Sequence, residues 1–532
     1  MKKIFSLSLA LILIISANLT TSIANASDGG DEWPMFHHDL ALSGYTDSSA
    51  PTDNATAWIY DTGSIIESSP AVVNGVLYIG SKGGVLYALN AYDGSEVWTY
   101  PSGSQIQSSP AVEGGSVYFL NESGNLTSLD AISGAVNWSQ FVGNGPYDWS
   151  SPAVHNGNVF IGSSDGYIHS LNANTGINNW STYVGGKPDS PIAVVNGKVY
   201  SGTHNFNNSA PTLVALNETD GSVNWTYDYH LYHGGVVGMV NSNGVAVVDS
   251  DDDGNLEVYF GVYNWNGTSN QSICLDEATG TEIWTANING NSSSTPAVHN
   301  GQVFIGSDDN KLYSLDASTG AEIWSFTTGS DVWAAPAVAD GMVFFGSLDH
   351  TFYAVNENDG ALVWSYFTGA SRLRGSPAIA NGMVFTGNEN GKVYAFGKPE
   401  FGVDIDIKPG SDPNSINLNG NGVVPVGVFG SEDIDVSTID VSTVLFGVNG
   451  NEATPVHNVH IEDINGDGID DIVFHFREGE LEIDVLTEGE TIMPLYLTAQ
   501  LNNDVYIEGT DVVRITPNNI ENSRGKGGKG PK

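Results

Sequence analysis

The sequence predicts an all-β chain: an eight-bladed β-propeller closed by an N-terminal strand, followed by a small β-sandwich. Three observations predict it: a glycine–tryptophan element that returns about every 40 residues, short apolar runs punctuated by Asn-Gly, Asp-Gly and Thr-Gly, and the absence of helical periodicity through the repeats.

The chain opens with Lys2 and Lys3, an apolar run from Ile4 to Ile15, and small residues at Ala24 and Ala26. This is the layout of a secretory signal, residues 1–26, and it predicts a secreted, extracellular or cell-surface protein. Nothing downstream is apolar enough to span a bilayer. The single cysteine, Cys274, excludes an intrachain disulfide. Removing Lys2 and Lys3 with the signal takes the 17 basic residues to 15 against 61 acidic ones, a formal charge of −46. Such a field repels nucleic acid and favours cations. Sequons such as Asn121-Glu-Ser, Asn137-Trp-Ser, Asn224-Trp-Thr and Asn266-Gly-Thr are frequent and matter if the host glycosylates exported proteins.

A lead segment, 27–54, precedes the repeats, which occupy 55–397. Trp98, Trp138, Trp180, Trp225, Trp284, Trp324 and Trp364 each follow a glycine four residues earlier, from Gly94 to Gly360. Upstream stands a second signature, SSPAVVNGVLYIGS at Ser68 to Ser81, echoed from Ser150 and from Ser294. Each unit reads as four short antiparallel strands, because Asn-Gly and Asp-Gly accept the positive φ that tight hairpins require. One such unit cannot bury both faces, so the units must stack around an axis. The last unit, Ser376 to Gly397, lacks its tryptophan strand, whereas ATAWIYDTG at Ala55 to Gly63 has Trp58 in the expected place. The first strand therefore completes the eighth blade and leaves no open edge.

These residues resemble the PQQ-repeat propellers, whose blades carry a pattern like LDASTGAEIW at Leu315 to Trp324. The opening WPMFHHDLALSGYT, Trp33 to Thr46, also looks like the N-terminal segment of exported members. The resemblance implies a blade-docking role for the tryptophans. It covers both quinoprotein dehydrogenases and the non-catalytic propeller of the outer-membrane assembly factor, and so leaves function open.

Two segments place oxygen ligands at calcium-loop spacing. DSDDDGNLE offers Asp249, Asp251, Asp253, Asn255 and Glu257 around Gly254, and DINGDGIDD offers Asp463, Asn465, Asp467, Ile469 and Asp471 around Gly468. Hard oxygen donors in that number suit Ca²⁺, about two structural ions. The first loop lies in an insertion, since Trp225 to Trp284 spans 59 residues. Residues 401–517 read as a calcium-binding β-sandwich-like domain, and 518–532 as a disordered basic tail.

Cys274 cannot provide the vicinal disulfide on which many quinoproteins stack their cofactor, and no CxxCH haem motif is present. PQQ is therefore not expected. His37-His38, and His230 with His233, read as turn or packing residues. The reading that leads is a monomeric, non-enzymatic binding or scaffold protein, without a catalytic residue, whose partner is a surface protein or glycan. The alternative is a PQQ-dependent alcohol or sugar dehydrogenase.

Overall fold

The computed structural model describes residues 32–143, 149–204, 211–233, 244–251, 253–263, 271–398, 400–409, 414–416, 422–431, 434–448, 453–456, 459–481, 491–502 and 506–515. The expected signal and basic tail lie outside them. No helix of the described residues is long and apolar enough to cross a membrane.

The repeats form eight four-stranded antiparallel sheets among the described residues. The first comprises Ala71–Val73, Val76–Gly80, Val85–Asn90 and Glu96–Pro101, from the innermost strand outward. The inner strands neighbour one another in sequence order, and Ala378–Ala380 returns to Ala71–Val73, so the sheets form a closed ring. Closure uses the N-terminal strand Thr56–Asp61, which pairs antiparallel with Lys392–Gly397 and sets Trp58 opposite Ala395.

Each outer-strand tryptophan docks on the following sheet. Its indole Nε1 donates to a backbone carbonyl there: Trp58 to Ala91 (2.8 Å), Trp98 to Ala131 (2.9 Å), Trp138 to Ala173 (2.8 Å) and Trp180 to Glu218 (3.0 Å). Trp225 reaches Glu277 (2.8 Å), Trp284 Ala317 (2.7 Å) and Trp324 Glu357 (2.9 Å), and at the closure Trp364 reaches Pro51 (2.8 Å) in the segment that precedes the first strand. The repeated glycine is explained at the same contact. Gly94 has φ +72°, and a Cβ there would lie 2.7 Å from the Trp58 ring. A side chain would strain the turn and displace the indole together.

Around the axis, serine hydroxyls link neighbouring sheets. Ser69 N donates to Ser109 Oγ (3.0 Å), Ser109 N to Ser151 Oγ (2.9 Å), and Ser376 N to Ser69 Oγ (2.9 Å). The lead segment satisfies the inner edges. Val112 N donates to Pro34 O (2.8 Å), Val194 N to Leu40 O (2.8 Å), Val247 N to Ala41 O (2.9 Å), Val298 N to Ser43 O (2.8 Å) and Val338 N to Gly44 O (2.7 Å), and Trp33 exchanges both bonds with Val72. His37 is buried in this strap, with Nδ1 2.7 Å from Leu42 O and Nε2 2.8 Å from Pro336 O. Both nitrogens are spent on backbone, in keeping with a packing role.

Beyond Gly397 the chain makes two sheets that enclose a separate apolar core including Ile407, Val426, Phe446, Phe474 and Leu497. One contains Ile439–Gly447, Thr491–Leu501 and Tyr506–Ile515; the other contains Ile405–Ile407, Val423–Val428, His460–Glu462 and Asp471–Arg477.

The indole clamp yields a first prediction. Trp58→Ala removes a buried ring and the bond that locks the closing strand, so it should lower the unfolding free energy by about 3–5 kcal/mol. Urea unfolding of the variant against the parent measures this, and a loss within error would mean that closure does not depend on the clamp.

Candidate functional site: the propeller mouth

Two sets of loops meet at one end of the axis in every repeat: the loop entering the inner strand, and the turn between the second and third strands. A backbone bond ties them together, seen as Lys82 N to Ile65 O (2.9 Å), Glu122 N to Gln105 O (2.9 Å), His204 N to Lys187 O (2.7 Å), Asp308 N to Asn291 O (2.8 Å), Leu348 N to Asp331 O (2.9 Å) and Glu389 N to Arg372 O (3.0 Å). Among the described residues, equivalent side chains of these blades therefore stand in two sets. The entering loops supply Glu67, Gln107, Trp149, Asp189, Trp333 and Arg374; the turns supply Lys82, Glu122, His204, Tyr263, Asp308 and Glu389. The inner strands run from this mouth toward the strap formed by residues 33–46, which occupies the other end of the axis.

The mouth is chemically dense. Glu67 is its hub: it pairs with Lys82 Nζ (2.9 Å) and Arg374 (3.6 Å) and accepts from Gln107 Nε2 (2.5 Å). Arg374 also pairs with Glu389 (2.8 Å), and its guanidinium lies 4.6 Å from the Trp333 ring centroid. Trp333 Nε1 donates to Asp308 Oδ1 at 2.7 Å. Burial, reinforced by the nearby Asp331 charge, pushes the Asp308 carboxyl up to about 6. Burial likewise raises Asp331, Glu122 and the Tyr263 hydroxyl. Opposite in sequence order, Asp189 is raised by burial, an effect His204 offsets from 3.2 Å. Gln107 Oε1 and Asp189 Oδ1 are buried and meet no hydrogen-bond partner among the described residues. Unpaired buried acceptors are costly, and they mark a place prepared for a donor.

None of these residues was singled out in the sequence, although a signal was present. At the position of Glu67, four residues before the inner strand begins, other repeats hold Gln107, Trp149, Asp189, Ser293, Trp333 and Arg374, whereas the strand itself opens on alanine in each of them. Copied positions that diverge are those the fold does not constrain.

The two acidic loops lie elsewhere. Asp249, Asp251 and Glu257 bring carboxylate oxygens within 4.8 Å of one another, in the connection between Ala246–Val248 and Glu257–Gly261. Asp253 N meets Asp249 Oδ1 at 3.2 Å, and Asn255 N donates to Asp253 Oδ1 at 2.7 Å. In the second loop Asp463 accepts from Gly466 N (2.7 Å) and Gly468 N (3.0 Å), and Asp467 from Ile469 N (2.8 Å) and Asn465 Nδ2 (2.9 Å). Asp471 is buried and spends both oxygens on backbone, toward Gly430 N (2.9 Å) and Ile464 N (2.8 Å). His233 bonds to Glu282 at 2.9 Å and stacks on Tyr229.

With this geometry in place, comparison locates the fold. The model of the family described as outer membrane protein assembly factor BamB matches residues 44–151, 143–259 and 269–413. No curated protein matches in sequence. Among solved structures the chain is similar to a europium-containing methanol dehydrogenase, at 16% identity and TM-score 0.58 over 69% of this chain and 98% of that one. It is also similar to BamB from Moraxella catarrhalis, at 17% identity and TM-score 0.53 over 65% and 99%. Quinohemoprotein alcohol dehydrogenase from Comamonas testosteroni aligns at 16% and 0.55 over 88% and 83%.

These findings require two corrections. The non-enzymatic surface-binding reading loses its precedence, because dehydrogenases share this fold as fully as BamB does. The expectation that PQQ is not used is also left without support: it rested on the missing disulfide and haem motif, and the solved structures that share this fold include dehydrogenases.

Asp308 gives a measurable consequence. Its folded pKa lies above the unfolded carboxylate value, so folding is most favoured below about pH 4 with respect to this group, and that contribution is lost as pH rises to about 6. Trp333 fluorescence should titrate with a midpoint near pH 6, through the indole bond to Asp308. Asp308→Asn should abolish that step, and its persistence in the variant would assign it to another group.

Proposed function

The chain belongs to the BamB family of PQQ-repeat propellers, and from that premise we propose that it is an exported, quinone-dependent dehydrogenase acting on an alcohol or sugar at the propeller mouth. Membership specifies the scaffold and leaves the chemistry to the residues at the mouth. The observation that carries the reading is the Asp308–Trp333–Arg374 unit: a carboxylate titrating near 6, bonded to an indole whose face holds a guanidinium.

The donor set fits a flat, acid-bearing quinone. Trp333 and Trp149 offer aromatic surface, and Arg374 and Lys82 offer cations that Glu67 and Glu389 now hold in place. Such a group, when bound, would supply the two-electron oxidising power that side chains lack. Above about pH 6 Asp308 is ionised and can take the hydroxyl proton of a substrate, while the Trp333 N–H fixes the orientation of its carboxylate.

We assign structural Ca²⁺ to the two acidic loops. Three gathered carboxylates at Asp249, Asp251 and Glu257 repel one another unless a cation joins them. The segment at residues 1–26 supports export, and the closed ring supports a monomer.

Purified protein loaded with PQQ and Ca²⁺ should reduce a redox dye with alcohols or aldoses, and the rate should rise with pH through about 6. Asp308→Asn should cut kcat by about 100-fold or more. No turnover above the unloaded control with any substrate class would sink the reading. Calorimetric titration of Ca²⁺ into chelated protein should report about two sites. Asp251→Ala and Asp467→Ala should each remove one, and unchanged stoichiometry in both would refute the loop assignments.

A further inference from the structure

The outermost strand of each blade has a free edge, and a free, flat, uncharged edge invites pairing with another chain. Four outer strands carry a carboxylate: Asp61 in Thr56–Asp61, Glu96 in Glu96–Pro101, Glu282 in Glu282–Asn287 and Glu322 in Glu322–Thr327. Four carry no charged residue at all: Leu362–Phe367 and the three consecutive strands Val136–Phe141, Asn178–Tyr183 and Val223–Tyr227. The consecutive three expose Val136 (50%), Phe141 (53%), Tyr183 (61%) and Val223 (54%). In a chain this acidic, three bare neighbouring edges need an explanation.

The same three strands carry Asn137-Trp-Ser, Asn179-Trp-Ser and Asn224-Trp-Thr, each with its asparagine directly before the docking tryptophan. At that position the other repeats hold Ala57, Val97, Ile283, Ile323 and Val363. Asn137, Asn179 and Asn224 are exposed. Asn137 Nδ2 touches Ser116 Oγ (3.2 Å) and Ser128 Oγ (3.3 Å), and Asn179 Nδ2 touches Asn158 Oδ1 (2.8 Å) and Ser170 Oγ (3.4 Å). A substituted amide keeps one N–H for such a contact. By contrast Asn121 is buried, with Oδ1 accepting from Ser123 N and Asn125 N, so its sequon belongs to a turn.

We propose that Asn137, Asn179 and Asn224 are N-glycosylation sites, and that their glycans shield the three neighbouring edges of blades two to four, as carboxylates shield four of the other five. The inference needs export but is independent of the chemistry at the mouth. The donor is a lipid-linked oligosaccharyl phosphate: the sugar C1–O bond to phosphate breaks, an Nδ2–C1 bond forms, the lipid phosphate leaves, and the amide loses one proton to a base.

The test is peptide mapping by mass spectrometry of the full chain purified from its native host, before and after enzymatic release of N-glycans. Glycan should be found on the peptides spanning residues 137, 179 and 224, and not at Asn121. Ser139→Ala, Ser181→Ala and Thr226→Ala keep each asparagine and its fold while destroying the sequon, and each should remove one glycan. The triple variant should sediment as larger species at concentrations where the parent stays monomeric. Unmodified asparagines at all three positions would overturn the proposal, as would glycan confined to other sequons or a glycan-free triple variant that self-associates no more than the parent.

Discussion

The fold rests on one contact made seven times, an indole N–H of one blade donating to a carbonyl of the next above a glycine that has no side chain to obstruct it, and varied once at Trp364, which donates to Pro51. A β-sheet of four short strands leaves both faces to be covered, and stacking on neighbours covers them. The tryptophan fixes the angle and spacing of that stacking, because its ring must lie flat on the glycine while its N–H reaches a single acceptor. Repeating the same geometric step returns the chain to its start, where Trp364 finds Pro51 and Trp58 finds Ala91.

Closure has a second layer. The inner strand of each blade exposes backbone groups to the axis, and empty space there would leave them unpaired. The strap from Trp33 to Thr46 supplies the partners, bonding to Val72, Val112, Val194, Val247, Val298 and Val338. It lies along the inner strands, while the loops that precede those strands carry the variable side chains.

The scaffold was legible because periodic residues announce periodic contacts. Trp58 opposite the last blade and the loop between Val248 and Glu257 stand where spacing placed them. The mouth was not legible, since Trp333 meets Arg374 only when successive blades stack, and Arg374 meets Glu67 only when the ring closes. Their significance is a departure from the repeat, which pattern reading discards as noise. The functional ranking failed because it weighed a missing disulfide and haem motif, whereas the fold itself is shared by BamB and by dehydrogenases.

Charge economy argues for the mouth as the working face. Between residues 55 and 397 the chain has only seven lysines and arginines, and four of them, Lys82, Lys187, Arg372 and Arg374, stand on mouth loops. Two bases serve structure in the usual way: Lys198 is tied to Glu277 between blades, and Lys311 lies over Tyr313. A surface selected only for acidity would scatter its few bases or remove them. Gathering them on the mouth loops, where Lys82 and Arg374 pair with Glu67 and Glu389 and burial raises the Asp308 carboxyl, concentrates the charge chemistry of the ring at one end. The docking tryptophans do not require that arrangement, so the mouth, rather than the scaffold, accounts for it.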